Sequence, residues 1–429
     1  MPPSIKFLIG KNFHIKIKKT TPFVAQTGVE VSEGGVQDLG FPEAGAKEAT
    51  TTVGTQTQVL EDPPLPEAPH IGPNNQTDLR AGNLQRYYNN WLNLTNDKFV
   101  LSVIASGYKL QFLNRPKVPS PTISTPSSTN YLKIKNEICR LLNYGAIVKT
   151  SFNDDQYVSR VFVREKANGK SRLILDLKNL NKNINKIHFR MEDRVYIQKM
   201  ISKDDFLVSI DLKDAFLSIN LHPSSCKFTV FQFNNCRYMY KMLPFGLTSA
   251  PRVFSKVLRP VVTQLRSLGI KITAYLDDIL IAASSKEICF NHLGIAMKLL
   301  QNLGFIINFE KSHMIPTKEI QHLGYIWDSQ TMTLALPLEK IQKIVTSASK
   351  LLEMKEISLR QLSSFLGMAV SCSPGYDLAP LHYRHIQFCL IKYLHKCQDW
   401  DTKIFLTEGA SKEIIWWSSF SSSIAVCTS

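Results

Sequence analysis

The sequence predicts an α+β fold with a mainly antiparallel sheet. Short runs rich in β-branched residues are joined by tight turns, and amphipathic helices lie between them without the regular spacing of a parallel sheet. Asn168-Gly169 is the strongest short hairpin signal, and Asn234-Asn235 marks a second turn between two strand-like runs. Neighbouring strands are therefore expected to pair in antiparallel fashion.

The chain is expected to begin with a disordered leader over residues 1–76. Residues 21–76 are rich in Gly, Pro, Thr, Glu and Gln, so they cannot bury enough apolar surface to offset the entropy of ordering. Residues 77–129 are predicted as an N-terminal extension with helical spacing, followed by a Pro- and Ser-rich linker.

The folded body is expected from residue 130 onwards. A helix is predicted over residues 131–145, because apolar residues share one face and the run stops at Gly145. Ser358 and Gln361 resemble a capping box at the start of a later helix. The other predicted elements are strands at 158–164, 172–177 and 206–212, a hairpin around residue 234, a helix at 250–267, an acidic hairpin at 275–278 and a helix at 286–303.

The charge is large and uneven. The chain holds 51 Lys and Arg against 35 Asp and Glu, a net charge of +16. Residues 21–80 carry nine acidic and two basic residues, so the positive charge lies elsewhere. A basic body behind an acidic leader favours a polyanionic partner, most simply nucleic acid, although charge alone also fits a basic protein without such a partner.

The expected location is intracellular, in the cytoplasm or nucleus, without secretion or a transmembrane segment. The N-terminus lacks the apolar core and cleavage site of a signal peptide, and no apolar run has bilayer-spanning length. The eight cysteines form no Cys-x-x-Cys pair, which predicts reduced thiols rather than a zinc module or a disulfide framework.

Two acidic sites carry the predicted chemistry. Asp277 and Asp278 lie at the turn between the apolar runs IKITA and ILIAA, and Asp211 ends the predicted strand FLVSIDL. Adjacent carboxylates are costly unless a cation offsets them, so the three acids could form a cage for two Mg²⁺ ions suited to phosphoryl transfer. Each acid taken alone also fits ordinary turn chemistry.

The loop LPFGLTSAPRVF lies between the two acidic sites. Pro244 and Gly246 are expected to fix a tight backbone and to bring Phe245 near a planar ligand such as a templating base pair. The same string also fits the ordinary start of a helix.

Six motifs in register resemble those of retroelement reverse transcriptases across roughly residues 130–330. They are VREKANGKSRLILDLKNLN, SIDLKDAF, LPFGLTSAPRVF, AYLDDILI, GFIINFEKS and HLGYIW. Flanking segments such as LQRYYNNWLNLT and RPVVTQLRSLGIKITAYLDD look most like DIRS-type tyrosine-recombinase retrotransposons. Gypsy-type elements and pararetroviruses are the nearest rivals.

The resemblance implies a right-hand polymerase with fingers, a palm sheet and a helical thumb. It would extend a primer with dNTPs on an RNA or DNA template, using two Mg²⁺ or Mn²⁺ ions. Fingers and palm would cover residues 130–330 and thumb or connection helices residues 331–400. Residues 401–429 would be a truncated start of an RNase H-like region, so removal of template RNA is not expected of this chain.

The same resemblance implies roles for residues of the palm. Asp211, Asp277 and Asp278 would be catalytic. Asp211 and Asp277 would ligate the metals together with the carbonyl of Leu212, and Asp278 would support them. The backbone N–H groups of Asp214 and Ala215 would meet the triphosphate. Phe216 would act as a steric gate against ribonucleotides, and Phe245 would line the dNTP site.

Basic residues and a turn complete the implied site. Arg172 and Lys166 would clamp the triphosphate, although Arg164 or Lys170 could replace Lys166. Lys311 would stand near the triphosphate. The implied primer grip is Leu323, Gly324 and Tyr325.

Two alternatives stay open. The chain could be a catalytically inactive or domesticated nucleic-acid-binding remnant of a reverse transcriptase. An RNA-dependent RNA polymerase shares the paired aspartates, but the bulky Phe216 and the LPFGL loop argue against it. The oligomeric state does not follow from the sequence.

Overall fold

The computed structural model describes residues 80–118, 128–165, 169, 171–397, 399–421 and 426–427. The α+β prediction is confirmed, because helices alternate with mostly antiparallel strands through this part of the chain. The predicted leader at residues 1–76 and Lys166 lie outside the described residues. In the described ranges no helix combines the length and apolar character needed to cross a bilayer.

The α-helices and strands follow the predicted order closely. The α-helices of the described residues are α1 (Asn83–Arg86), α2 (Tyr88–Leu94), α3 (Lys98–Ser106), α4 (Ser128–Asn143), α5 (Arg194–Met200), α6 (Pro223–Cys226), α7 (Ala250–Ser267), α8 (Lys286–Asn302), α9 (Leu338–Leu352), α10 (Leu359–Cys372), α11 (Arg384–Lys396) and α12 (Glu408–Ser418). The strands are β1 (Ile147–Thr150), β2 (Val158–Ser159), β3 (Val161–Glu165), β4 (Ser171–Leu175), β5 (Phe206–Asp211), β6 (Val230–Phe233), β7 (Cys236–Tyr240), β8 (Lys271–Tyr275), β9 (Asp278–Ala283), β10 (His313–Thr317), β11 (Glu319–His322), β12 (Tyr325–Asp328), β13 (Thr333–Ala335), β14 (Ile357–Ser358), β15 (Lys403–Ile404) and β16 (Val426–Cys427).

The central sheet has the strand order β10-β5-β9-β8 and is antiparallel throughout. Helix α7 packs on β8, and α8 packs on β9 and β5. The apolar runs FLVSID and DILIAA supply buried residues to this layer, including Val208, Ile210 and Ile281. Burial of this apolar surface holds the ends of β5 and β9 in a rigid frame.

A second sheet is built from strands on both sides of β5 in the chain. Its strand order is β1-β7-β6-β2, with β2 parallel to β6 and the other pairs antiparallel. Asn234 and Asn235 both have positive φ angles, 50° and 56°, which is the backbone that a two-residue hairpin turn requires. The predicted hairpin is thereby confirmed, and β3 and β4 form another antiparallel pair.

The N-terminal extension is packed into the same core as the central sheet. Trp91 is fully buried, and its indole N–H donates to the Leu303 carbonyl over 3.0 Å. Asn83 donates to the Gly304 carbonyl over 2.9 Å. The backbone N–H of Gly82 donates to the Leu217 carbonyl over 2.8 Å. Residues 80–113 therefore brace two segments that lead into the acidic site.

The C-terminal helices surround a separate hydrophobic cluster that runs from Leu336 to Phe420. The predicted capping box is confirmed, because the Ser358 hydroxyl accepts from the Gln361 N–H and the Gln361 side chain accepts from the Ser358 N–H. Helix α12, which contains the segment KEIIWW, packs on α9. The boundary predicted at residue 400 stays a prediction, and apolar packing continues across it.

Candidate active site

Asp211 and Asp278 face each other across the central sheet. They are directly paired in the register of β5 and β9. The Leu212 N–H donates to the Asp277 carbonyl over 2.9 Å, so residues 212 and 277 form a hydrogen-bonded pair. The preceding pair, 211 and 278, is therefore of the non-hydrogen-bonded kind, in which Cα atoms stand about 4.5 Å apart and side chains share one face.

Asp277 lies in the two-residue turn that joins β8 to β9. Tyr275 pairs with Asp278, which leaves Leu276 and Asp277 as the turn residues. Leu276 has a φ of 56°, an unfavourable value for a bulky residue, and its side chain packs against the main core. Packing of Leu276 therefore holds a strained turn that presents two adjacent carboxylates.

The carboxylates concentrate negative charge in a partly buried place. Burial, followed by the charges of Asp277 and Asp211, raises the pKa of Asp278 to about 6. Burial and the charge of Asp211 also raise the pKa of Asp277, while Arg172 and Lys311 oppose this rise. The three acids therefore act on one another electrostatically, and the nearby cations offset only part of their charge.

The sequence analysis missed two residues that hold Asp211. The side-chain amide of Asn308 donates to Asp211 Oδ1 over 2.7 Å, and the Asp211 N–H donates to the Ser312 hydroxyl over 2.9 Å. Lys311 Nζ lies 3.7 Å from Asp211 Oδ2. The segment NFEKS was read for its lysine alone, and its polar residues on either side were the available signal.

The donor set fits a hard divalent cation in its chemistry. Carboxylate and carbonyl oxygens are the ligands that Mg²⁺ and Mn²⁺ prefer, and the raised pKa values of Asp277 and Asp278 show charge that a cation would relieve. Among the described residues, however, no three or more His, Cys, Asp or Glu side chains already form a group able to hold a metal ion.

An aromatic wall, formed by Phe216, Phe245 and Phe254, lies next to Arg172, whose charge acts on Asp277. The Arg172 guanidinium sits over the Phe245 ring at 4.1 Å from its centroid. The Phe245 and Phe216 ring centroids are 5.2 Å apart, and the Phe254 ring packs edge-on against Phe216 at 5.8 Å. The structure thus brings Arg172, Phe216 and Phe245 into one cluster, from positions that are more than 70 residues apart at the extremes.

The LPFGL loop is held tightly against β4. Gly246 has a φ of 104°, and a Cβ at this position would collide with the Leu175 carbonyl oxygen. Asn181, which the sequence analysis did not single out, donates to the Gly246 carbonyl over 2.8 Å and accepts from the Thr248 N–H over 3.0 Å. One side chain therefore holds the backbone on both sides of Leu247, directly after Phe245.

Asp214 and Ala215 open a 3-10 turn directly after the Asp211 strand. Asp214 has a φ of 48°, in the left-handed region, and Ala215 is buried. The Arg140 guanidinium contacts the Asp214 carboxylate at 3.2 Å and also binds Glu137. Helix α4 thereby fixes the backbone that was predicted to meet a triphosphate.

The predicted primer grip stands apart from the acids in its contacts. The Tyr325 hydroxyl donates to the Ser371 carbonyl over 2.8 Å, and Lys340 lies over its ring at 4.1 Å. Leu323 has a φ of 50°, and Gly324 has a φ of 78° in the same turn. In the described chain, no hydrogen bond or ion pair joins this turn to the three carboxylates, so its role stays a prediction.

Comparison with known proteins bears on this arrangement. Residues 163–327 match the sequence profile of the family described as reverse transcriptase (RNA-dependent DNA polymerase). The matched range is less than half of the 429 residues, and it is this segment that is similar to the family. It contains the acidic turn, the LPFGL loop and Asp211, while Arg140 and the N-terminal extension lie outside the matched range.

Relatives of this segment occur in transposons and viruses. The chain is 25% identical over 238 residues to the retrovirus-related Pol polyprotein from transposon opus of Drosophila melanogaster, which covers 55% of this chain and 23% of the relative. It is 27% identical over 268 residues to the Gag-Pol polyprotein of Woolly monkey sarcoma virus, covering 58% of this chain and 15% of the relative. The chain thus matches less than a quarter of either relative.

Solved structures share the fold. The foamy viral protease-reverse transcriptase dRH in complex with ds DNA aligns with a TM-score of 0.57 and 17% identity, over 82% of this chain and 62% of that chain. The foamy viral protease-reverse transcriptase in complex with RNA/DNA hybrid aligns with a TM-score of 0.56 and 17% identity, over 78% and 46%. The likeness confirms the predicted fold class, that of a reverse transcriptase polymerase.

Proposed function

We propose that the chain is an RNA-directed DNA polymerase that transfers nucleotides from dNTPs to a primer 3′-OH. The pairing of Asp211 with Asp278 carries the proposal, because it sets the Asp211 carboxylate beside the packed turn that carries Asp277 and Asp278. The matched family and the bound nucleic acids of the structural neighbours support it.

Two Mg²⁺ or Mn²⁺ ions would be held by Asp211, Asp277 and the Leu212 carbonyl, with Asp278 in support. Such ions neutralise charge that develops on the transferring phosphoryl group and orient the attacking oxygen. The protein's own part is to hold the oxygen donors on a rigid sheet. The raised pKa values of Asp277 and Asp278 support this assignment, since a cation favours their ionised forms.

The nucleotide would lie along the aromatic wall. Arg172 would contact the triphosphate while stacking on Phe245, and Lys311 would approach it from the side of Asp211. Lys166 would join this clamp from the β3–β4 turn. The N–H groups of Asp214 and Ala215 would meet phosphate oxygens, a position supported by the Arg140 contact that fixes the left-handed backbone.

Sugar selection is assigned to Phe216. A ring that is packed against both Phe245 and Phe254 cannot easily move aside, so it would exclude the 2′-OH of a ribonucleotide. Leu323, Gly324 and Tyr325 would hold the primer end. Fingers and palm would cover residues 130–330, with thumb or connection helices over 331–400.

Primer extension on a homopolymer RNA template tests the proposal. The purified full-length chain should incorporate dNTPs with Mg²⁺ or Mn²⁺, and Asp277→Asn should lose at least about 100-fold in rate, since one carboxylate ligand is removed from the charge-stabilising site. Asp401→Asn, at an exposed ion pair with Arg360, is the matched control. Equal extension by Asp277→Asn and the parent would refute the assignment.

A nucleic-acid-binding remnant is the second candidate. It is favoured by the net charge of +16, which suits binding of a polyanion whether or not nucleotides are incorporated. This function predicts salt-sensitive binding of primer-template without incorporation, because basic contacts release counterions. Binding and extension measured on the same preparation separate the two candidates.

The retroelement class is proposed to be DIRS-type. The segments LQRYYNNWLNLT and RPVVTQLRSLGIKITAYLDD support this class over Gypsy-type elements and pararetroviruses. A tyrosine recombinase reading frame beside the coding sequence in its genome would support the proposal, and an aspartic protease and integrase there would contradict it.

A further inference from the structure

Asp211 is fixed by a closed ring of hydrogen bonds. The Asp211 N–H donates to the Ser312 hydroxyl over 2.9 Å, and that hydroxyl donates to the Asn308 carbonyl over 2.8 Å. The Asn308 N–H donates to the Asp211 carbonyl over 2.8 Å, and its side-chain amide donates to Asp211 Oδ1 over 2.7 Å. Backbone and side chain of Asp211 are therefore both held from one short segment.

The carboxylates of Asp277 and Asp278 differ from that of Asp211 in their hydrogen bonding. In the described part of the chain, no side chain of another residue donates a hydrogen bond to the carboxylates of Asp277 or Asp278, whereas Asn308 occupies one oxygen of Asp211. That contact fixes the torsion of the Asp211 side chain and leaves Oδ2 turned toward Lys311. A carboxylate that is already oriented needs less reorganisation when a cation binds.

We propose that Asn308, seated by Ser312, is a positioning residue that orients Asp211 so that Oδ2 meets a divalent cation. This rests on the proposed function for its catalytic consequence, but the effect on cation binding is independent of polymerisation. Partners that hydrogen-bond a metal-ligating carboxylate typically contribute about 10- to 100-fold in metal affinity. Asn308 would act through Asp211 and would not itself be a ligand of the cation.

Mn²⁺ binding followed by electron paramagnetic resonance tests the role directly. The experiment uses the full-length chain with primer-template and a non-extendable dNTP analogue. Asn308→Ala and Ser312→Ala should each weaken Mn²⁺ binding by about 10-fold. Ser312→Thr keeps the hydroxyl and should bind as the parent does.

Asn83→Ala is the matched control. Asn83 is also a buried amide. It donates to the Gly304 backbone carbonyl and does not contact Asp211. It should lose stability without a change in Mn²⁺ affinity. A similar loss of affinity in the control would show that destabilisation alone explains the result and would overturn the proposal.

The outcomes separate this inference from the proposed function. Weaker Mn²⁺ binding in Asn308→Ala with no extension by the parent would support the positioning role and refute the polymerase. Parent-like Mn²⁺ binding in Asn308→Ala, or no Mn²⁺ binding by the parent, overturns the inference. Should Asn308→Ala fail to fold, Ser312→Ala against Ser312→Thr decides in the same way. In an active enzyme, the loss should fall on kcat and on the Mg²⁺ requirement, with primer-template affinity unchanged.

Discussion

Asp211 and Asp278 stand opposite each other on the last paired positions of β5 and β9, where an antiparallel sheet brings side chains closest. Like charges at such positions destabilise a sheet. The fold tolerates them because the flanking residues, among them Ile210 and Ile279, are almost fully buried. The core thus holds together a site that is unfavourable by itself, which is the usual trade between stability and function.

The first prediction concerns how far the ionised Asp278 carboxylate lowers the free energy of unfolding. Its pKa is raised to about 6, so the destabilisation is absent below the unfolded value near 3.8 and fully present above pH 6. Asp278→Asn should therefore raise the free energy of unfolding at pH 7.5 by about 1 to 2 kcal/mol without metal, a value discounted for partial exposure. Thermal unfolding in EDTA measures this gain.

Magnesium should reverse the order of stability of the parent and Asp278→Asn. The parent gains stability with added Mg²⁺ because the cation offsets Asp278, and Asp278→Asn gains less. The exposed Asp401→Asn should show neither effect. Equal Tm values for the parent and Asp278→Asn in EDTA would contradict the prediction that the Asp278 charge destabilises the fold.

The second prediction concerns sugar selection by Phe216. Its ring contacts the rings of both Phe245 and Phe254, with centroids at 5.2 and 5.8 Å. Phe216→Val should shorten the side chain and raise ribonucleotide incorporation relative to dNTP incorporation by at least about 10-fold, the effect of roughly 1.4 kcal/mol. Competition between rNTP and dNTP in primer extension gives the ratio.

Phe254→Leu is the control for that measurement. Phe254 is fully buried and its ring packs against that of Phe216. Its truncation should therefore lower stability by about 1 to 3 kcal/mol through lost packing. The ratio of rNTP to dNTP incorporation should change much less than in Phe216→Val. Unchanged discrimination in Phe216→Val would exclude the gate role.

Local patterns were enough to predict most of the elements. The helix at 250–267 and the strand ending at Asp211 agree with the structure within a residue, since both rest on periodic burial that the sequence displays. The turn at Asn234-Asn235 follows from residues that tolerate positive φ. Such features depend on neighbours in the chain, which is why sequence reasoning reached them.

Long-range partners could not be predicted in the same way. Asn308 lies 97 positions from Asp211, and Arg140 lies 74 positions from Asp214. Nothing in the composition of either segment indicates which carboxylate it will meet, because the register of β5, β9 and the following loop decides it. The packing of residues 80–113 on Leu303 and Gly304 was missed for the same reason.

The third prediction concerns the backbone of the LPFGL loop. Gly246→Ala places a Cβ against the Leu175 carbonyl at a φ of 104°, so the loop must shift and the Asn181 clamp must loosen. The variant should lose more than about 1 kcal/mol of unfolding free energy, and extension should fall with it. Chemical denaturation and primer extension measure the two effects.

Gly367→Ala is the matched control for Gly246→Ala. Gly367 lies inside α10, where a Cβ meets nothing within 4 Å. Alanine there should stabilise the protein by about 0.5 to 1 kcal/mol and leave extension unchanged. Wild-type stability in Gly246→Ala would show that the close approach to Leu175 is not required.

The fourth prediction concerns acid stability and His322. This residue is 6% exposed, its Nε2 atom has no hydrogen-bond partner among the described residues, and burial lowers its pKa to about 4. Between the unfolded value of 6.5 and about 4, the unfolded chain binds a proton that the folded chain does not. The titration of His322 therefore costs the fold nothing above pH 6.5, and it destabilises the fold increasingly as the pH falls from 6.5 toward 4.

His322→Gln removes the titrating group and should flatten this part of the pH profile. From pH 7 to pH 5 the parent should lose up to about 2 kcal/mol more unfolding free energy than the variant, at roughly 1.4 kcal/mol per pH unit. Urea unfolding at each pH provides the values. His395→Gln, at an exposed position near the end of α11, should follow the parent. Parallel profiles for the parent and His322→Gln would mean that His322 takes up its proton equally in the folded and unfolded chains.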